Sequence, residues 1–408
     1  MVHRRDFLRL PGLAAFAPAF ARAAPPPLER RFLFVYANGG WDQTCVFAPL
    51  IGNPVVDMEA DATLAEVNGI PFVDVEARPS VRGFFETWGH TTCLLNGFEV
   101  RTIAHHKAQR LLLTGTATDG DDWGSIIASA SGAPLAVPYL VTSGPSFSRD
   151  LGEEVVIVGK NGQLGALLDG SALEGERLST AAGAAVEARV RARVDTAAAA
   201  AGRGERFGGV YARALERVAA LRTIDDQLTF STGTTFADRV DTALTCFELG
   251  VTRAAIVEHK GMYDLGFDTH SGNIFQSRHF EQLFSDLGGL AAELAARSGL
   301  QGGSLLDEVT VVVLSDFGRH PKLNLNMGKD HWTFTSAMFF GSGIAGGRAI
   351  GAYDEYVLGE RVDPVSGDIS DSGVAMTSAH LGATVLALAD VDPEPWLGDI
   401  APIQAVLA

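Results

Sequence analysis

A chain of 408 residues with 47% hydrophobic and 20% charged residues has the make-up of a globular protein and is long enough to bury a core. Its net charge of −17 becomes −20 once the four arginines and one aspartate of residues 1–23 are set aside, which repels nucleic acid and anionic membrane, so no nucleic-acid partner is expected. The three cysteines, Cys45, Cys93 and Cys246, are too few for a disulfide framework and read as small buried residues.

Residues 1–24 read as a targeting segment outside the fold. Arg4-Arg5 before Asp6-Phe7-Leu8 is a twin-arginine pattern, a weakly apolar stretch follows, and Ala21-Arg22-Ala23 fits a small-x-small cleavage site. The expected partner is the twin-arginine export machinery, and the expected location is periplasmic or extracellular. Past this segment no run reaches the apolar length of a spanning helix, so no membrane span is expected after cleavage.

Residues 31–37 form the first predicted strand, and Asn38-Gly39-Gly40 turns the chain toward Asp42. A second strand covers 91–96. The stretch 100–109 then feeds a helix with His105 and His106 near its start, where a helix N-terminus favours anions. Neighbours on a helix point about 100° apart, so one of the two histidines is expected to serve a site. Asp122 is a helix N-cap, and 138–142 and 154–159 are short strands. The span 172–232 reads as a helical insertion with a charged face. Helix 236–249 and strand 252–258 lead to Gly266-Phe267-Asp268-Thr269-His270, then to an amphipathic helix over 274–297. The β-branched run 309–315 is a buried strand that ends in Asp316-Phe317-Gly318-Arg319-His320, and a loop carries the chain to Asp330-His331-Trp332. A strand at 335–340 and a helix at 376–388 follow. Strands alternating with helices predict one α/β domain over 30–405, a doubly wound, mostly parallel sheet flanked by helices.

Parallel strands deliver the residues that follow them to one rim, where open α/β sheets place their ligands. Asp42, Asp268, His270, Asp316, His320, Asp330 and His331 all lie in such loops. Mixed carboxylate and imidazole donors suit zinc or manganese, with calcium a further candidate. Two such ions about 4 Å apart can polarise a phosphoryl or sulfuryl group. The carboxylates of Asp42, Asp268 and Asp316 are expected in one pocket, because acids that close together need a cation between them. Arg319 either clamps an anion or lies on the surface.

Gly40-Trp41-Asp42, Phe267-Asp268-Thr269-His270, Leu314-Ser315-Asp316-Phe317-Gly318-Arg319 and Asp330-His331-Trp332 occur in an order that resembles an exported family of unknown function, the one numbered fifteen hundred and one. That family is related in fold to the alkaline phosphatase and sulfatase superfamily. The resemblance implies an alkaline-phosphatase-like fold and a small anionic ester, phosphate or sulfate, as substrate. It implies one metal faced by Asp42 and Asp316 and another faced by Asp268, His270 and His331. Phe317 stands where the sulfatase pattern Ser-Asp-His-Gly has its histidine, and His320 is the candidate to replace it. The family often carries a serine just before the histidine that opens the helix. Here Ala104 precedes His105, so Thr102 is the remaining hydroxyl and His105 the neighbouring catalytic candidate; without either, water must attack. Two readings stay open: an exported metal-dependent hydrolase, or a non-catalytic exported protein of the same fold used for binding or assembly.

Replacing Arg4 and Arg5 with lysines is expected to leave the protein in the cytoplasm with its N-terminus uncleaved. Fractionation and N-terminal sequencing check this, and normal export of the variant removes the assignment.

Overall fold

Strand β1 (Arg31–Ala37) is buried on both faces. Leu33, Val35 and Ala37 enter one hydrophobic cluster, and Phe32, Phe34 and Tyr36 enter another. A strand of that kind needs cover on both sides, which only a central position in a layered α/β fold supplies. The computed structural model, which describes residues 29–158, 180–200, 204–224, 227 and 233–408, gives it that position.

The other strands are β2 (Thr63–Val67), β3 (Ile70–Asp74), β4 (Thr92–Glu99), β5 (Tyr139–Val141), β6 (Val155–Ile157), β7 (Ala254–His259), β8 (Val309–Ser315), β9 (Gly318–Leu323), β10 (Lys329–Trp332), β11 (Phe334–Gly341) and β12 (Arg348–Ile350). Eight of them form one sheet in the order β12-β4-β11-β8-β1-β7-β5-β6, and two antiparallel pairs, β2 with β3 and β9 with β10, stand apart. Within the sheet β11 is antiparallel to β4 and β8, and the remaining pairings are parallel. The doubly wound, mostly parallel sheet expected from the sequence is therefore present. Helices Pro79–Trp88, Phe236–Glu248 and Ile274–Ala296 supply Phe84, Leu244 and Leu287 to the first cluster. Helices His105–Thr114, Trp123–Ser129 and Ser378–Leu388 supply Leu112, Ile126 and Leu381 to the second.

Asp122 caps its helix by accepting from the Ser125 amide at 2.9 Å, as its position in the sequence predicts. Cys45, Cys93 and Cys246 are buried and unbridged. Within the predicted insertion the structure shows helices Thr180–Ala200 and Gly204–Thr223. Arg213 and Arg217 tie the second of these to Glu153 and Glu154 at 2.5 and 2.7 Å, just ahead of β6. Apart from residues 224 and 227, the rest of 172–232, and the predicted signal segment 1–24, lie outside the described residues. Among those described, no helix is long and apolar enough to cross a membrane.

Because β1, β4, β7 and β8 run in one direction, their carboxyl ends share one edge of the sheet. The loops that follow them carry Asp42, His105, Asp268 and Asp316.

The aromatic packing in the first cluster gives a stability test. Phe284 sits against Phe84 and Phe85, with ring centroids 5.5 Å away in each case. Phe284→Ala is expected to cost about 3–5 kcal/mol in urea unfolding, the transfer term plus a cavity that rigid rings cannot fill. A loss under about 1 kcal/mol would contradict this packing.

Candidate metal centre

The loops are brought together by hydrogen bonds between backbone groups and two buried side chains, Ser315 and Arg319. The Gly40 and Trp41 amides both donate to Ser315 Oγ at 3.1 Å, and that hydroxyl donates to the Ala37 carbonyl at 2.6 Å. Gly39 has φ +115°, and a Cβ there would lie 2.6 Å from the Asp268 amide nitrogen. Only glycine allows that approach. The wholly buried Arg319 then joins three loops. Its guanidinium donates to the carbonyls of Gly39, Gly40 (2.8 Å), Phe267 (3.0 Å) and Lys329 (3.2 Å), and to Asp268 Oδ1 at 2.7 Å.

Three imidazoles converge on Asp268. His105, the first residue of its helix, holds Asp316 Oδ2 through Nδ1 and turns Nε2 to within 3.4 Å of Asp268 Oδ2. His331 holds the Ile103 carbonyl through Nδ1 at 2.7 Å, with Nε2 3.3 Å from Asp268 Oδ1. His270 holds Asp330 through Nδ1 at 3.1 Å, with Nε2 3.3 Å from Asp268 Oδ1 and 2.8 Å from His331 Nε2. A carbonyl oxygen only accepts, so the His331 Nδ1 carries a proton, and the Nε2 atoms of all three rings face Asp268. The ring of Phe317 lies under two of them, 4.8 Å from His105 and 4.3 Å from His331 between centroids. Ligand atoms of His105, Asp268 and His331 all fall within 4.8 Å of one another, a spacing that a single ion can bridge.

The carboxylates around this cluster sit in different fields. Burial alone raises the Asp268 carboxyl, but hydrogen bonds from His105, His331 and Arg319 outweigh it and hold the group far below the usual range. Burial dominates at Asp316 and lifts it to about 7, against the Gly39 amide and the Arg319 charge. Asp316 Oδ1 is buried without a hydrogen-bond partner.

The structure brings Asp268, His270, Asp316 and His331 together, joined by His105, while His106 is exposed. Other predicted site residues take different places. Asp42 is not open to the centre. It is fully buried with Lys329 Nζ at 2.8 Å from Oδ2, and it also accepts from Thr44 and Asn273. Arg319 is neither surface residue nor anion clamp, since backbone carbonyls and Asp268 use its donors. His320 packs its ring on Trp332, 5.1 Å between centroids, and accepts the Lys322 amide, so it does not replace the histidine missing at Phe317. Thr102 Oγ1 accepts the Ala104 amide at 3.2 Å in a local turn. Lys329 is the residue that sequence reasoning missed. A lysine in a polar loop reads as solvated, and its place just before Asp330-His331 was the available signal.

The family model described as "Protein of unknown function (DUF1501)" matches residues 186–394. No curated protein matches the sequence. Among solved structures, the soluble domain of lipooligosaccharide phosphoethanolamine transferase A from Neisseria meningitidis is similar at 11% identity and a TM-score of 0.42, over 96% of this chain and 97% of that one. The PsFucS1 sulfatase from Pseudoalteromonas sp. is similar at 10% identity and 0.42, over 93% and 72%. The zinc complex of the C-terminal periplasmic domain of EcEptC from Escherichia coli is similar at 10% identity and 0.41, over 93% and 91%.

The Asp42–Lys329 pair yields a pH test. Burial raises the Asp42 carboxyl, and Lys329, Thr44 and Asn273 more than reverse this, so its folded pKa lies below the ordinary value. Its stabilisation is therefore present above the unfolded carboxyl pKa and fades as pH falls through the folded one. Asp42→Asn strands the Lys329 ammonium and is expected to cost about 3–5 kcal/mol at neutral pH. Urea unfolding should show this gap closing as pH falls below the ordinary carboxylate pKa of about 4. A gap that stays constant would contradict the pairing.

Proposed function

Since the chain belongs to the DUF1501 family of proteins of unknown function, whose model spans just over half of it, we propose that it is an exported, metal-dependent hydrolase of phosphate or sulfate esters. One observation carries this reading. His270 Nε2 and His331 Nε2 lie 2.8 Å apart, both beside the Asp268 carboxylate, while both Nδ1 atoms are engaged with acceptors. Two ring nitrogens at that spacing beside one carboxylate call for a shared positive charge between them, and a bound divalent cation supplies it. Three imidazole nitrogens and one carboxylate oxygen are the donor set of a tetrahedral zinc site; manganese is a weaker fit, and calcium, which favours oxygen, weaker still.

A divalent ion held there supplies Lewis acidity toward an ester oxygen. The chain does the rest. Asp316, Asp330 and the Ile103 carbonyl fix the tautomer and direction of the three rings, the role of outer partners in metal sites. The buried Arg319 holds Asp268 in place. Asp268 and His270 keep 42% and 44% of their side chains exposed, which leaves a small anionic ester a path in. The helix beginning at His105 directs its positive end to the same place. With Ala104 at the N-cap and Thr102 held in a turn, the attacking group in this reading is water.

The same two residues favour a second reading, a non-catalytic exported protein that keeps the site for binding or assembly. Metal analysis of the purified mature protein, with a screen of aryl phosphate mono- and diesters and aryl sulfates, separates the two. Bound metal with turnover is expected, and His331→Ala should abolish both. Asp316→Asn should weaken metal affinity about 10–100-fold by freeing the His105 ring. Bound metal with no turnover after reconstitution with zinc, manganese or calcium gives the second reading. No bound metal under any of these conditions removes both the ion and the hydrolase.

A further inference from the structure

We infer that the centre holds one divalent ion, not two, because the ammonium of Lys329 occupies the place on Asp42 that a second ion would need. This rests on the reading of His105, Asp268, His270 and His331 as the ligands of the first.

The two oxygens of an ionised carboxylate offer about four lone-pair sites. Asp42 Oδ1 accepts from the Thr44 amide at 3.0 Å and from Thr44 Oγ1 at 2.6 Å. Oδ2 accepts from Asn273 Nδ2 at 3.0 Å and from Lys329 Nζ at 2.8 Å. All four sites are used, and neither charged side chain has any exposure. Lys329 Nζ also donates to Thr44 Oγ1 at 2.8 Å. Its backbone is pinned, the amide donating to the Thr269 carbonyl at 3.3 Å and the carbonyl accepting from Arg319 at 3.2 Å. A divalent ion on Asp42 must either expel this ammonium from a buried slot or sit beside it, and like charges at such range in a low-dielectric interior repel strongly.

Asp316, the other acid that a second ion would need, is also committed. Its Oδ2 holds His105 Nδ1, so it orients a ligand of the first ion. The charge count agrees. The cluster sets two fixed cations, Lys329 and Arg319, against three carboxylates, Asp42, Asp268 and Asp316. A second ion adds two more positive charges with no buried carboxylate left to meet them.

The test is a count of metal. Purified protein is loaded with excess zinc, dialysed, and analysed by elemental mass spectrometry against protein concentration, and metal-free protein is titrated with zinc calorimetrically. One zinc per chain is expected. Two per chain overturns this inference and leaves the metal-dependent reading standing, whereas none overturns that reading itself. The double variant Asp42→Asn/Lys329→Met removes both charges together, so neither is stranded. Folded, by circular dichroism, it is expected to keep its one zinc; a folded double variant without zinc makes Asp42 a ligand and overturns the inference. Should the double variant not fold, His331→Ala decides the location: no zinc supports the assignment, and a retained equivalent overturns it.

Discussion

The guanidinium of Arg319 collects carbonyls from the loop after β1, the loop after β7 and the start of β10, and it bonds Asp268 as well. These carbonyls lie in loops and at the start of a strand, on residues buried with the arginine. A buried polar group without a partner is costly, and so is a buried charge. Each need is met by the other, which is why three loops distant in sequence hold one arrangement. Arg319 pairs across the ribbon with His331, so the residue that gathers the loops also sets the depth of one imidazole.

A second level of order follows from charge. Asp42, Asp268 and Asp316 come to one region through strand topology, and each has its own partner: Lys329, Arg319 and His105. The pairing leaves the Nε2 atoms of three rings directed at Asp268. The open chemistry of the site is thus what remains after the buried charges are matched.

How far this was legible in the sequence depends on range. Runs 31–37 and 309–315 announce central strands, because a largely apolar run, β-branched in 309–315, fits a sheet covered on both faces. Parallel pairing then makes Asp268 and His270 legible as rim residues, while His331 reaches them on the antiparallel ribbon. The partners were not legible. His105 meets Asp316 across 211 positions, and Lys329 meets Asp42 across 287, and neither separation leaves a local pattern. The expectation that close acids need a cation was physically sound, yet at Asp42 the chain supplies that cation from a residue that reads as loop charge. Arg319 misled for a related reason: an arginine beside a ligand loop suggests a bound anion, and here its partners are backbone carbonyls and an aspartate.

The most direct test of the metal centre is diffraction from crystals of the zinc-loaded protein on both sides of the zinc absorption edge. The account predicts a single anomalous peak about 2.0–2.1 Å from the Nε2 atoms of His105, His270 and His331 and from an Asp268 oxygen, with Lys329 Nζ still on Asp42. An absent peak, or one on Asp42 with Lys329 displaced, would contradict it.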